Sequence, residues 1–184
     1  MGLCYMVKLK ITKEAQLEQN LIELLCEGHG QWTYRPDLKS EADLWRNLRN
    51  KIENRNKSEL DGHDLTDSEF ERIKSEILAS TKTPFDAAKW LRGEKGKCSI
   101  VLERDNGLGR IELVVYSNLE KNGGFSSYEI VNQIAKGNSK LEERERRFDV
   151  TLLISGLPII QIELKTAIAK DGVKQAYYQI EKYV

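Results

Sequence analysis

The chain has 184 residues, and its 29 Lys and Arg balance 29 Asp and Glu, so the formal net charge is zero. That length suits one domain, and the charge balance argues against a surface built to coat a polyanion, leaving room for a local basic patch. No apolar run approaches the ~20 residues of a membrane span, and the start, "MGLCYMVKLK", is too short and too soon polar for a signal peptide.

Met6 stands where a myristoylation signal needs Ser or Thr. Cys4, Cys26 and Cys98 are odd in number and lack C-x-x-C spacing, which predicts free thiols in a reducing, cytoplasmic compartment. In chain order, Thr12 to Glu27 predicts a helix with Thr12 as cap and Leu17, Leu21, Leu24 and Leu25 on one face. "GHGQWTY" breaks it. A second helix runs from Ser40 to about Asn56, with Leu44, Trp45, Leu48 and Ile52 as its stripe. Thr66 and Glu69 form a capping box that starts a third helix. Thr83 caps a fourth, with Pro84 in its first turn and Gly93 past its end.

The period then changes from helical to alternating. "KCSIVLER" and "RIELVVYS" flank "DNGLG" as a hairpin, and "SSYEIVNQIA" is a further strand. A last helix follows Asp171, with Val173, Ala176, Tyr177, Ile180 and Val184 at helical spacing. It has no stop signal, so the chain is expected to be the front piece of something longer. Helices, then strands, then a helix predict an α/β (α+β) domain with helices packed on a mixed sheet. The expectation is one domain over 1–184, helix-rich over 12–95, with sheet and site over 97–184.

Two strands carry the chemistry. In "RRFDVTLLISGLPIIQIELK", Arg146 to Lys165, the residues Val150, Leu152 and Ile154 alternate on one strand, and Ile160, Ile162 and Leu164 on the next. Pairing Val150 with Ile162 and Leu152 with Ile160 puts all six on one core face, and burial of that face guards the register. This pairing needs an odd loop or a bulge, because a two-residue Ser155-Gly156 turn has the wrong parity. It also sets Asp149 opposite Glu163, with Cβ atoms ~5 Å apart, and Lys165 on the same side. Two adjacent carboxylates repel unless a proton or a cation lies between them. A divalent ion such as Mg²⁺, which takes one or two carboxylates plus phosphate oxygens, is the natural occupant. The competing reading is a solvated sheet face with a weak Glu–Lys pair.

A D…E-x-K set across two paired strands resembles the PD-(D/E)XK nucleases. The wording from Arg146 to Tyr183, continuing through "QAYYQIEKY", is similar to the N-terminal nuclease domain of type I restriction enzyme R (HsdR) subunits. The early "EAQLEQNLIELL" is a softer match, and residues 30–95 read as a helical insertion. The resemblance implies that Asp149, Glu163 and the Leu164 carbonyl hold Mg²⁺, with Mn²⁺ as a substitute, and that Lys165 is the catalytic lysine. It implies that Gln179 and Tyr183 form the Q-x-x-x-Y element of the RecB-like branch and that Glu18 corresponds to a helix-one acid. Separately, Arg146 and Arg147, basic residues next to Asp149, are candidate DNA contacts. Phe148 replaces the proline of the family name.

The implied activity is endonucleolytic cleavage of double-stranded DNA without sequence reading. The parent's methylation (M) and specificity (S) subunits would supply recognition, and its ATP-driven motor would supply translocation. No G-x-x-x-x-G-K-[ST] is present, and in "GEKGKC" the spacing is wrong and Cys98 replaces Ser or Thr, so ATP belongs only to that motor. The isolated chain is expected to be weakly active or inactive. Alternatives from other classes are a non-catalytic DNA-binding or assembly domain on the same fold, and a stand-alone RecB-like exonuclease. His29 and His63 lack zinc-finger partners and read as loop residues. Trp32, Trp45 and Trp90 read as core.

Overall fold

A computed structural model describes residues 13–27, 32–117, 126–135 and 147–165, together with Val173, Lys174, Tyr177 and Tyr178. The helices are α1 (Lys13–Glu27), α2 (Glu41–Arg55), α3 (Lys57–Leu60), α4 (Asp67–Ser80) and α5 (Pro84–Arg92). The strands are β1 (Thr33–Tyr34), β2 (Lys97–Glu103), β3 (Arg110–Ser117), β4 (Tyr128–Ala135), β5 (Arg147–Ile154) and β6 (Leu157–Ile162). The result is a mixed α/β architecture. A four-stranded sheet in the order β1-β4-β5-β6 has β1 parallel to β4 and the other neighbours antiparallel.

The helix starts follow from side chains that accept the free N–H groups of a first turn. Ser40 accepts from Asp43 N–H, and Asp43 returns the bond to the Ser40 N–H; Thr66 and Glu69 do the same at α4. Thr83 caps α5 with Pro84 next to it, and Gly93 ends it. Gly93 has φ of 53°, and a Cβ there would fall 2.0 Å from the Lys97 carbonyl oxygen, so only glycine fits. The Thr12 cap lies outside the described residues.

The hairpin β2–β3 departs from the expectation of one sheet over 97–184. It forms its own two-stranded sheet. The reason is its apolar face: Cys98, Ile100, Leu102, Leu113 and Val115 pack with Leu48, Ile52, Phe70, Ile73 and Ile77 of α2 and α4 in one core. Two polar devices fix that unit. The buried Asn56 amide donates to the Val114 carbonyl at 2.9 Å and accepts the Val114 N–H at 2.8 Å, much as a neighbouring strand would. Glu69 and Arg104 form a buried ion pair at 2.8 Å, and Arg104 also donates to the carbonyls of His63 and Asp64. Burial pushes the Glu69 carboxyl up, but Arg104 and the Thr66 and Asp105 N–H groups outweigh it and hold it at about 2.

The four-stranded sheet has a second core on its α1 side, where Ile22 meets Ile130, Val150 and Leu152, with Leu21, Leu25, Ile162 and Leu164 around them. The opposite face is also covered: Val131, Ile134 and Leu153 pack with Leu38 and Leu44. Buried Glu129 on that face is paired with Arg35 at 2.5 Å and Lys51 at 3.1 Å and accepts from Asn47 at 3.0 Å, tying α2 to β4. Trp45 and Trp90 flank the first core and Trp32 the second, as expected.

Three expectations about exposure are corrected. On α1, Leu17 and Leu24 are exposed, and the packed face is carried by Ile22 with Leu21 and Leu25, so the stripe is rotated from the one the leucines alone suggest. Ile160 does not join the α1-side core and is 47% exposed, because β6 is an edge strand and nothing in the described residues lies beyond it. In the C-terminal segment, Val173, Lys174, Tyr177 and Tyr178 are helical. Val173 is 87% exposed and Tyr177, whose ring meets that of Tyr178 edge to face, is 59% exposed, so the stripe read from their spacing is open to solvent at these two positions. Among the described residues, no helix is long and apolar enough to cross a membrane.

Candidate active site on the β5–β6 hairpin

The hairpin adopts the register that the apolar pattern dictates: Val150 pairs with Ile162, Thr151 with Gln161 and Leu152 with Ile160. Parity is solved by a bulge. Ile154 pairs with Leu157 across a two-residue Ser155-Gly156 turn, and Leu153 pairs with Pro158, so Ile159 is the extra residue. Ser155 and Gly156 have φ of 52° and 82°, the left-handed pair whose twist matches antiparallel strands. The turn is anchored on α2: Arg55 donates to the Ser155 hydroxyl at 3.3 Å, and a Cβ on Gly156 would lie 3.0 Å from the Leu48 Cα.

The same register, extended one step past Ile162, sets Glu163 against Asp149. The Leu164 N–H donates to Asp149 Oδ2 at 2.7 Å, which fastens the chain after β6 to the aspartate. Both Glu163 carboxylate oxygens are buried without a well-aligned hydrogen-bond donor, although the Asp149 carboxyl and the Gln161 amide are near enough to act on the group. Burial, and then the negative charge of Asp149, push the Glu163 carboxyl up to about 7, while the nearby Lys165 cation pulls the other way. A carboxylate pair with two poorly satisfied buried oxygens and an adjacent ammonium is an incomplete electrostatic arrangement. Hard oxygen donors in that state fit a divalent cation such as Mg²⁺.

The structure thus brings Asp149, Glu163, Leu164 and Lys165 to one end of the hairpin. It does not join Glu18 to them as a third close carboxylate. Among the described residues, no group of three His, Cys, Asp or Glu side chains is placed to hold a metal ion. Glu18 instead accepts from Asn132 Nδ2 at 2.5 Å and Gln133 Nε2 at 2.7 Å on β4. Arg146, Gln179, Tyr183 and the Arg147 side chain lie outside the described residues. Sequence reading passed over Asn132 and Gln133. Their signal is two adjacent amides interrupting the apolar alternation of "YEIVNQIA".

A mixed sheet flanked by helices, with an acidic pair and a lysine at the end of an antiparallel hairpin, defines an α+β, nuclease-like domain. The family model for the type I restriction enzyme R protein N terminus (HSDR_N) matches residues 11–184. The chain belongs to that family and corresponds to an N-terminal HsdR domain.

Three curated relatives illustrate the similarity. A type I restriction enzyme endonuclease subunit of Staphylococcus aureus is 30% identical over 151 residues, covering 81% of this chain and 14% of the relative. One from Staphylococcus saprophyticus is 30% identical over 172 residues, covering 92% of this chain and 16% of the relative. The EcoprrI endonuclease subunit of Escherichia coli is 24% identical over 187 residues, covering 90% and 56% respectively. The chain therefore spans about one seventh of the length of the staphylococcal subunits it matches.

Proposed function

We propose that this chain is the Mg²⁺-dependent endonuclease domain of a type I restriction R subunit, hydrolysing DNA phosphodiester bonds without reading sequence. The observation that carries the reading is the Asp149–Glu163 pair, whose buried glutamate oxygens lack a well-aligned hydrogen-bond donor. Asp149, Glu163 and the Leu164 carbonyl are the groups that would hold the ion. When bound, Mg²⁺ supplies Lewis-acid stabilisation of phosphate charge and lowers the pKa of water.

The chain's own residues do the rest. The Leu164 N–H fixes the Asp149 carboxylate, so its free rotation is lost before substrate arrives. Glu163 holds a proton up to about pH 7 and gives it up when a cation replaces it. Lys165, whose charge already acts on Glu163, orients the attacking water and offsets charge that accumulates on the phosphate; to deprotonate that water it must first lose its own proton and act as the neutral amine. Gln179 and Tyr183 contact DNA or orient Lys165, and Arg146 and Arg147 contact DNA, in this reading.

In the parent protein, ATP-driven translocation delivers double-stranded DNA to this site. The methylation and specificity subunits supply recognition, in a prokaryotic cytoplasm. Residues 1–184 act as one nuclease domain ahead of that motor.

The test is Mn²⁺ binding by calorimetry to the 184-residue chain and to Asp149→Ala. Binding that is lost in the variant is expected; absence of binding in the parent chain refutes the nuclease reading and favours a non-catalytic assembly domain. Plasmid cleavage by the isolated chain with Mg²⁺ is expected to be weak or absent, and efficient cutting refutes its dependence on motor and partners.

A further inference from the structure

Gln133 occupies the β4 position that faces Asp149. Asn132 pairs with Val150 and Ile134 with Phe148, and the ladder is interrupted between them. The Gln133 backbone has φ of 54°, a left-handed conformation that is uncommon for a non-glycine residue and, unlike the others in this chain, falls inside a strand. What enforces it is a clamp. Asn132 and Gln133 donate to the two oxygens of one carboxylate, that of Glu18 on α1. Asn132 is itself held: its Oδ1 accepts from the Tyr34 hydroxyl at 2.9 Å and from Lys39 Nζ at 2.6 Å, and Lys39 also reaches the Asn132 carbonyl at 3.1 Å. Three separate segments thus converge on two consecutive β4 residues.

A regular ladder would have a different consequence. Directly opposed residues on one face of an antiparallel pair have Cβ atoms ~5 Å apart. A Gln133 in ordinary strand conformation would bring its amide beside the Asp149 carboxylate and compete for its oxygens. In the structure that amide is spent on Glu18, and Asp149 Oδ2 takes the Leu164 N–H.

We propose that Gln133 is a positioning residue. Clamped on Glu18, it bends β4 into the left-handed region opposite Asp149 and so leaves that aspartate oriented for a divalent cation. Glu18 then acts through β4 and not as a ligand. The proposal rests on the nuclease reading above for the identity of the cation.

Two readouts on the 184-residue chain test it: the Leu164 amide resonance and its hydrogen exchange in the metal-free state, and Mn²⁺ affinity by electron paramagnetic resonance. Glu18→Leu removes the clamp. It is expected to speed Leu164 amide exchange and to weaken Mn²⁺ binding about tenfold or more, the usual effect of losing a group that orients a ligand. Adding Gln133→Gly to Glu18→Leu is expected to restore both, because glycine adopts the left-handed conformation without help. A direct metal-binding role for Glu18 would not be rescued by that second change.

If Glu18→Leu alone fails to fold, the double variant still decides: near-parental Mn²⁺ affinity supports the proposal, and lost affinity overturns it. Parental affinity and an unchanged Leu164 amide in Glu18→Leu overturn the proposal and leave the nuclease reading intact. Absence of Mn²⁺ binding in the parent chain removes the nuclease reading, and this proposal with it.

Discussion

Replacing Glu163 by glutamine should stabilise the metal-free chain, and only above a definite pH. The side chain keeps its shape but cannot ionise beside Asp149. In the unfolded chain Glu163 titrates near its ordinary 4.5, whereas in the folded chain burial and Asp149 raise it to about 7. Between those values the folded state binds the extra proton, so parental stability falls as pH rises. The interval is about 7 minus 4.5, or ~2.5 pH units, which at ~1.36 kcal/mol per unit sets a ceiling of ~3.4 kcal/mol, and solvent screening of a carboxyl that is only partly buried lowers the expected effect to ~1–2 kcal/mol.

Glu163→Gln should therefore match the parent near pH 4.5 and exceed it by ~1–2 kcal/mol above pH 7. For a chain of this size that is a rise of ~2–8 °C in Tm. Thermal melts of both chains in EDTA across pH 4.5–8.5 measure the difference, in which titrations common to both cancel. A gap that is flat across that range refutes the raised Glu163 and the crowding by Asp149 behind it. Saturating Mn²⁺ should close the gap at high pH, because it stabilises only the chain that binds it.

Other parts of the fold give shorter tests. Gly156→Ala must place a methyl 3.0 Å from the Leu48 Cα at φ of 82°, and should cost about 2 kcal/mol in urea unfolding, the scale of a strained left-handed residue; an unchanged midpoint would show that the turn does not bear on α2. Arg104→Met leaves Glu69 buried and unpaired, and should cost about 3–5 kcal/mol at neutral pH. Because Glu69 titrates at about 2 when folded and at its ordinary 4.5 when unfolded, the pair's contribution is complete above pH 4.5 and fades as pH falls toward 2. A parent-to-variant gap that stays constant down that range would contradict the pairing.

Local features were legible because local physics sets them. The Thr66 and Thr83 caps act within four residues of themselves, and the structure has both. The Val150–Ile162 register was legible for a related reason: alternation with a period of two allows only one pairing that keeps apolar side chains together. That pairing carried Asp149 and Glu163 to each other before any fold was known. The parity problem was also visible, though its solution was not, since an odd loop and a bulge at Ile159 satisfy the same pattern equally well.

What lay beyond the sequence depends on which surfaces meet. The β2–β3 hairpin alternates like any strand pair, and only its packing on α2 and α4 took it out of the main sheet. Ile160 carries the same apolar signal as Leu152, yet one is at an open edge and the other under α1. Glu18 looked like an isolated helix acid, because the amides that clamp it are more than a hundred residues away on β4. The sequence by itself determined caps, periods and the strand pairing that unites the acidic residues, since these depend on neighbours along the chain or on a single repeating face. The tertiary structure decided how far Glu163 is buried, what holds Asp149, and where Glu18 is directed, since desolvation and long-range hydrogen bonds exist only once separate segments share a volume.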